Sequence, residues 1–222
     1  MHEVSRITGA ERLVVPWNGR PGGRIINAKP GISPLRRLQI GRIVGRPGIG
    51  PVVFNTLERE TALVCLNGRA FVLAAEEPYE LAPFDVLYAP PQTPIRVDPD
   101  GAGCDLAEIS AAAETADPVR LVPYAEACSR ADGDFTILVD GDGEPGRLSA
   151  GLSHGALLPD LVQEQACCFL EAPPQFSVEL ESPDGDRLRF AVSRDDTVLV
   201  PEGFRLQSMP VDAEVSFLWA AA

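Results

Sequence analysis

Histidine is almost missing from this chain: two stand among 222 residues, His2 and His154. A metal centre built on three imidazoles therefore cannot be assembled within one copy. No Cys-x-x-Cys pair occurs, and the five cysteines, Cys65, Cys104, Cys128, Cys167 and Cys168, are odd in number. That spacing makes neither a zinc site nor a redox couple, so reduced, buried thiols are expected. Positive charge is scarce: 19 Lys and Arg against 32 Asp and Glu leave a net charge of −13. Nucleic acid and anionic membrane surfaces are disfavoured as partners, and the arginine-rich stretch from Arg36 to Arg46 is only a local patch. No apolar run reaches the length of a membrane span. The opening MHEVSRITGAERLVV has no signal-peptide layout, so a cytoplasmic location is expected.

What is present is strand signal. TALVCL, RAFVLA, DVLYAP, PIRVDP, CDLAEIS, FTILVD, QACCFL, FSVELE, LRFAVS, TVLVP and EVSFLWA are short apolar or alternating runs, nearly all bounded by Gly, Pro, Asp or Asn. Little reads as helix; PVRLVPYAEACSRA, from Pro118 to Ala131, carries a turn or two. The 20 Gly and 21 Pro are spread along the chain and punctuate many short elements. Such spacing points to an all-β barrel or jelly roll.

The chain also repeats. DVLYAPPQTPIRV begins at Asp85 and DTVLVPEGFRLQS at Asp196, half of the 222 residues apart. Upstream of each lies a second matched pair, ETALVCL from Glu60 and EQACCFL from Glu164. Strand–turn–strand stretches look alike by composition, but matched motifs in matched order favour a duplicated unit. The strand pattern breaks at AAAETADP, which suggests barrels over residues 1–115 and 116–222.

These stretches resemble a bicupin, two cupin-like jelly-roll barrels in tandem. ERETALVCLNGRAFV, VLYAPPQTPIRV, DDTVLVPEGFRL and EAPPQF are similar to the 5-deoxy-glucuronate isomerase family of inositol catabolism, itself related to 5-keto-4-deoxyuronate isomerases. The resemblance implies a metal in the second barrel, held by His-x-His, a Glu shortly after, and a His following a Pro-x-Gly turn. Those positions fall at Leu158, Asp160, Gln165 and Arg205. None keeps the family's ligand, and a guanidinium repels a metal. No metal and no other cofactor is expected.

Carried over in this way, the pocket of the second barrel holds Arg205, Gln165, Gln207 and Cys167 as substrate-binding residues, with His154 and Asp160 as acid/base candidates. Each has a plainer reading. Arg205 pairs with Asp160 and fills the old metal cavity, or it clamps a substrate carboxylate. His154 is an exposed or satisfied histidine, or the general acid/base. Cys167 is packing, since no base stands by to make it a thiolate. Tyr88 and Tyr124 line a cleft or pack. Asp98, Asp100 and Asp105 lack EF-hand spacing and read as a solvated acidic turn. Two functions follow: metal-independent, isomerase- or lyase-like acid/base chemistry on a small polar, anionic, sugar-acid-like molecule, or a non-catalytic cupin that binds a small molecule or serves as a scaffold. A homodimer or larger homo-oligomer is expected, through sheet faces and exposed edges.

Overall fold

The computed structural model describes residues 13–17, 22–113, 117–128, 135–141, 147–155, 163–174, 176–206 and 215–222. In chain order the elements are β1 (Val14–Pro16), β2 (Gly23–Ala28), β3 (Leu38–Gly45), β4 (Val52–Asn55), β5 (Arg59–Ala74), β6 (Glu77–Leu81), β7 (Val86–Ala89), β8 (Pro94–Ala112) and β9 (Arg120–Val122). A single helical turn follows, α1 (Tyr124–Cys128), then β10 (Phe135–Val139), β11 (Ser149–His154), β12 (Gln165–Glu171), β13 (Ser177–Glu181), β14 (Arg187–Ala191), β15 (Asp196–Val200), β16 (Arg205–Leu206) and β17 (Ser216–Ala221). The protein is all-β.

Two large sheets mirror one another. The first runs β2-β3-β8-β5-β7-β9, and the second β10-β11-β17-β12-β15-β1. Position for position, the second repeats the first, with two exchanges. The first described strand, β1, completes the second sheet, and β9 completes the first. The mirrored order reaches single residues. Phe84 and Asp195 both take a positive φ, 68° and 66°, one residue before their repeat motifs begin. Gln92 (φ 62°) and Gly203 (φ 83°) do the same at matching turn positions. Glycine tolerates that geometry at no cost, whereas Gln92 is strained and is held by its N–H to the Leu57 carbonyl at 2.7 Å.

The alternation read from sequence sorts the side chains into three cores. Leu63, Cys65, Leu87, Val72, Ile95 and Leu106 fill the first barrel. Cys167, Phe169, Phe176, Val198, Phe217 and Trp219 fill the second. The intervening residues, such as Leu38, Ile40, Ala62 and Ile109 from the first sheet and Leu152, Ala166, Leu199 and Leu218 from the second, form one shared core where the large sheets pack back to back. Both faces of each large sheet are thus buried, which explains runs such as QACCFL that show no polar side.

Two strand boundaries expected from sequence are absent. TALVCL and RAFVLA are one strand, β5, which shifts register at Cys65/Asn67 and again at Gly68/Ala70. PIRVDP and CDLAEIS are likewise joined in β8. The Asn-Gly and Asp-Gly signals mark bulges at which each strand bends from the large sheet into the smaller wall of the barrel. Gly68 and Gly103 cross there so closely that a Cβ on Gly68 would stand 2.2 Å from the Gly103 carbonyl.

Candidate functional site

The second barrel matches the expected pocket only in part. Gln165 shares the inward face of β12 with Cys167 and Phe169, and it is buried. Cys167 is packing: fully buried among aromatic side chains, its thiol is pushed well up by burial and by neighbouring Cys168. Arg205 is a correction. It is exposed, in register with Glu181, while Leu206 pairs with buried Leu180 and packs on the barrel core with Phe204. Gly203 sets the phase of the strand after the turn, so the inward positions fall on either side of Arg205. His154 is exposed at the end of β11, opposite Ser216. Leu158, Asp160 and Gln207 lie outside the described residues.

The metal that the resemblance implies does not fit the described part of this donor set. At its ligand positions the described residues are an amide and an outward guanidinium, flanked by inward Phe204 and Leu206. Among the described residues no three His, Cys, Asp or Glu side chains cluster as metal ligands would. The acidic turn also resolves into ion pairs. Asp98 holds Arg96 at 2.7 Å, and Asp105 accepts from Arg42 Nε at 2.7 Å. Tyr88 donates to buried Glu60 at 2.8 Å, and Tyr124 packs on Phe84 with ring centroids 5.3 Å apart, so both are structural.

The first barrel keeps a polar interior. Gly41, Leu63 and Glu108 stand opposite one another on β3, β5 and β8, and Glu108 shares its face with core residue Leu106 and with buried Ser110. Its carboxylate is 1% exposed and receives a two-pronged contact from Arg24 on β2: Nε to Oε2 at 2.6 Å and Nη2 to Oε1 at 2.7 Å. Arg24 stacks over the Phe54 ring at 4.1 Å and is 29% exposed. Among the described residues no hydrogen bond engages Arg24 Nη1. Thr61, the counterpart of Gln165, is buried on the same inward face. Arg59 at the start of β5 donates through Nε to Ser110 Oγ at 3.4 Å. Burial lowers the pKa of Arg59, against the charges of Glu164 and Glu108.

Chemically, this is a guanidinium oriented by a buried carboxylate, with a second cation and two hydroxyls beside it. Such an arrangement can hold a carboxylate or polyol against a fixed donor edge. A different concavity, a cleft of about 530 Å³, lies between β9, α1 and β10 and is lined by Asp117, Arg120, Glu126 and Asp140 among others. Three carboxylates to one guanidinium make it a poor site for an anion. The first-barrel cluster escaped sequence reading because Arg24 and Glu108 stand far apart in the chain. One signal was available: in CDLAEIS, Glu108 occupies an inward position of an alternating strand.

No protein-family model and no curated protein sequence matches the chain. Solved structures do. An IolB-like protein from Salmonella typhimurium LT2 superposes with a TM-score of 0.73 at 19% identity, covering 95% of this chain and 92% of that one. Hazelnut (Corylus avellana) vicilin gives 0.65 at 10% identity, over 95% and 85%. A Bacillus subtilis oxalate decarboxylase variant gives 0.65 at 11%, over 94% and 76%. At these identities the likeness is one of fold: with the paired sheets it shows that the chain has the two-barrel fold of bicupins.

Proposed function

We propose that this bicupin binds a small polar, anionic, sugar-acid-like molecule without a metal, and that the Arg24–Glu108 cluster of the first barrel is its binding site. The observation that carries this reading is Arg24, aligned by buried Glu108 and still presenting Nη1. A buried ion pair is a costly way to fill a barrel when apolar side chains would do. Arg24 and Arg59 offset Glu108 and Glu164 there, so on a chain of net charge −13 a small anion meets less repulsion at this cluster than over most of the protein.

Binding is preferred to isomerase-like catalysis because the described histidine, His154, is exposed and Cys167 is held as a neutral thiol. The fold likeness to an IolB-like protein makes hexuronates and their keto acids the first molecules to try. The test is calorimetric titration of a panel of small carboxylates and uronates into wild type, Arg24→Gln and Glu108→Gln. At least one uronate should bind wild type, and Arg24→Gln should bind it about tenfold or more weakly, as expected for a lost charged hydrogen bond. Unchanged affinity in Arg24→Gln, with the ligand bound elsewhere, would overturn the assignment. Turnover of the bound uronate would favour the isomerase reading.

A further inference from the structure

The smaller wall of the first barrel presents an uncovered apolar face. It is built from β4, the first half of β8, the second half of β5, and β6. One row across it reads Val53, Arg96, Leu73, Pro78, and the next reads Asp98, Phe71, Glu80. Their neighbours Phe54, Ile95, Val97, Val72 and Ala74 point the other way, into the barrel. Val53 is 67% exposed, Phe71 49% and Leu73 41%, so three of the most exposed large apolar side chains among the described residues share one flat face. Isolated exposed apolar residues need no explanation, but a contiguous patch marks a contact surface.

The charges say what fits there. Arg96 pairs with Asp98 at 2.7 Å, and Arg69 with Glu80 at 2.6 Å, so the face is locally neutral on a chain of net charge −13. A face whose charges pair off can meet its own copy without net repulsion. Arg96 and Asp98 point the same way from one strand. A two-fold axis passing between them sets Arg96 of each copy against Asp98 of the other. We propose that this face is the contact through which two copies of the chain associate, face to face, with Val53, Phe71 and Leu73 at its centre.

The sheet face is about 15–20 Å on each side by strand spacing and rise. That is small beside the roughly 800 Å² per partner of a standard interface, so a weak, readily reversible dimer is expected. Sedimentation velocity on the full chain over a series rising to about 1 mM should therefore give a mass that climbs toward twice the chain mass with concentration. Phe71→Glu with Leu73→Glu should be monomeric at the same concentrations. The sharper test uses charge. Arg96→Asp makes the face acidic and Asp98→Arg makes it basic, so each variant alone should be a monomer, while an equimolar mixture should pair. A monomeric wild type, a dimer that survives either charge change alone or the Phe71/Leu73 double change, or a mixture that stays monomeric would each overturn the proposal.

Discussion

Glu60 and Glu164 occupy the same place in the two halves, and each reaches across to cap the other half. Glu60 accepts the Leu148 N–H at 2.6 Å, just before β11, while Glu164 accepts the N–H groups of Arg36 at 2.7 Å, of Arg37 at 2.5 Å, and of Leu38, where β3 begins. β3 and β11 are counterparts in the mirrored sheets, so the relation is reciprocal. Both carboxylates are buried. The matched motifs ETALVCL and EQACCFL therefore carry, besides strand residues, the clasp between the barrels.

Glu164→Ala leaves the buried Leu38 N–H unmet, at about 1–3 kcal/mol, and removes the acceptor of the partly buried Arg36 and Arg37 N–H groups, which water can partly replace. A loss of about 2–4 kcal/mol in urea unfolding is expected, and a similar one for Glu60→Ala, which strands the buried Leu148 N–H and the Tyr88 hydroxyl. In both variants the two halves should lose structure in one transition, read by coincident far-UV and tryptophan signals.

Arg24→Met strands the Glu108 carboxylate. Because Arg24 is partly exposed, the cost should fall near the low end for a broken buried pair, about 3 kcal/mol. Arg24→Met combined with Glu108→Leu should recover most of it. A double-mutant cycle by thermal or urea unfolding measures the coupling.

Thiol accessibility separates Cys128 from the rest. Cys128 is exposed, whereas Cys65, Cys104, Cys167 and Cys168 are buried. Ellman's reagent should titrate a single thiol quickly in the native protein and all five in denaturant, and Cys128→Ser should remove the fast phase.

Stability should fall in alkali. Burial pushes the Cys65 and Cys168 thiols up from the ordinary 9.0 to about 12. Below pH 9 both folded and unfolded chains keep these protons, and their contribution is fully present. Between pH 9 and 12 the unfolded chain loses them while the folded chain holds them, so stability declines by up to about 1.4 kcal/mol per pH unit per thiol. Urea midpoints at pH 8 and 10.5 should show the drop, and Cys168→Ala should lessen it.

The fold was legible because period-two alternation, turn residues and a half-chain repeat all agree, and Phe84 with Asp195 shows the repeat holding down to backbone angles. The site was less so. The family resemblance puts Arg205 at an inward ligand position, yet its strand has two residues and leaves Arg205 exposed beside inward Phe204 and Leu206. Arg24 and Glu108 come together only when β2, β3 and β8 are laid side by side, which no local pattern records. Conversely, QACCFL reads as a buried strand from composition alone, because both its faces are covered.

The exchange of β1 and β9 has a bearing on how the chain is made. Val14 pairs with Val198, and Val122 pairs with Val86. During synthesis the first sheet can close as soon as β9 leaves the ribosome. β1, which emerges before every strand of the first sheet, must wait unpartnered until β15 arrives. Its seating closes a loop spanning most of the chain, an entropically slow step. Until then the outer strand of the second sheet is open for another nascent chain to donate its own β1. Refolding at high concentration should thus risk strand-swapped dimers, distinct from the face-to-face pair by their slow dissociation.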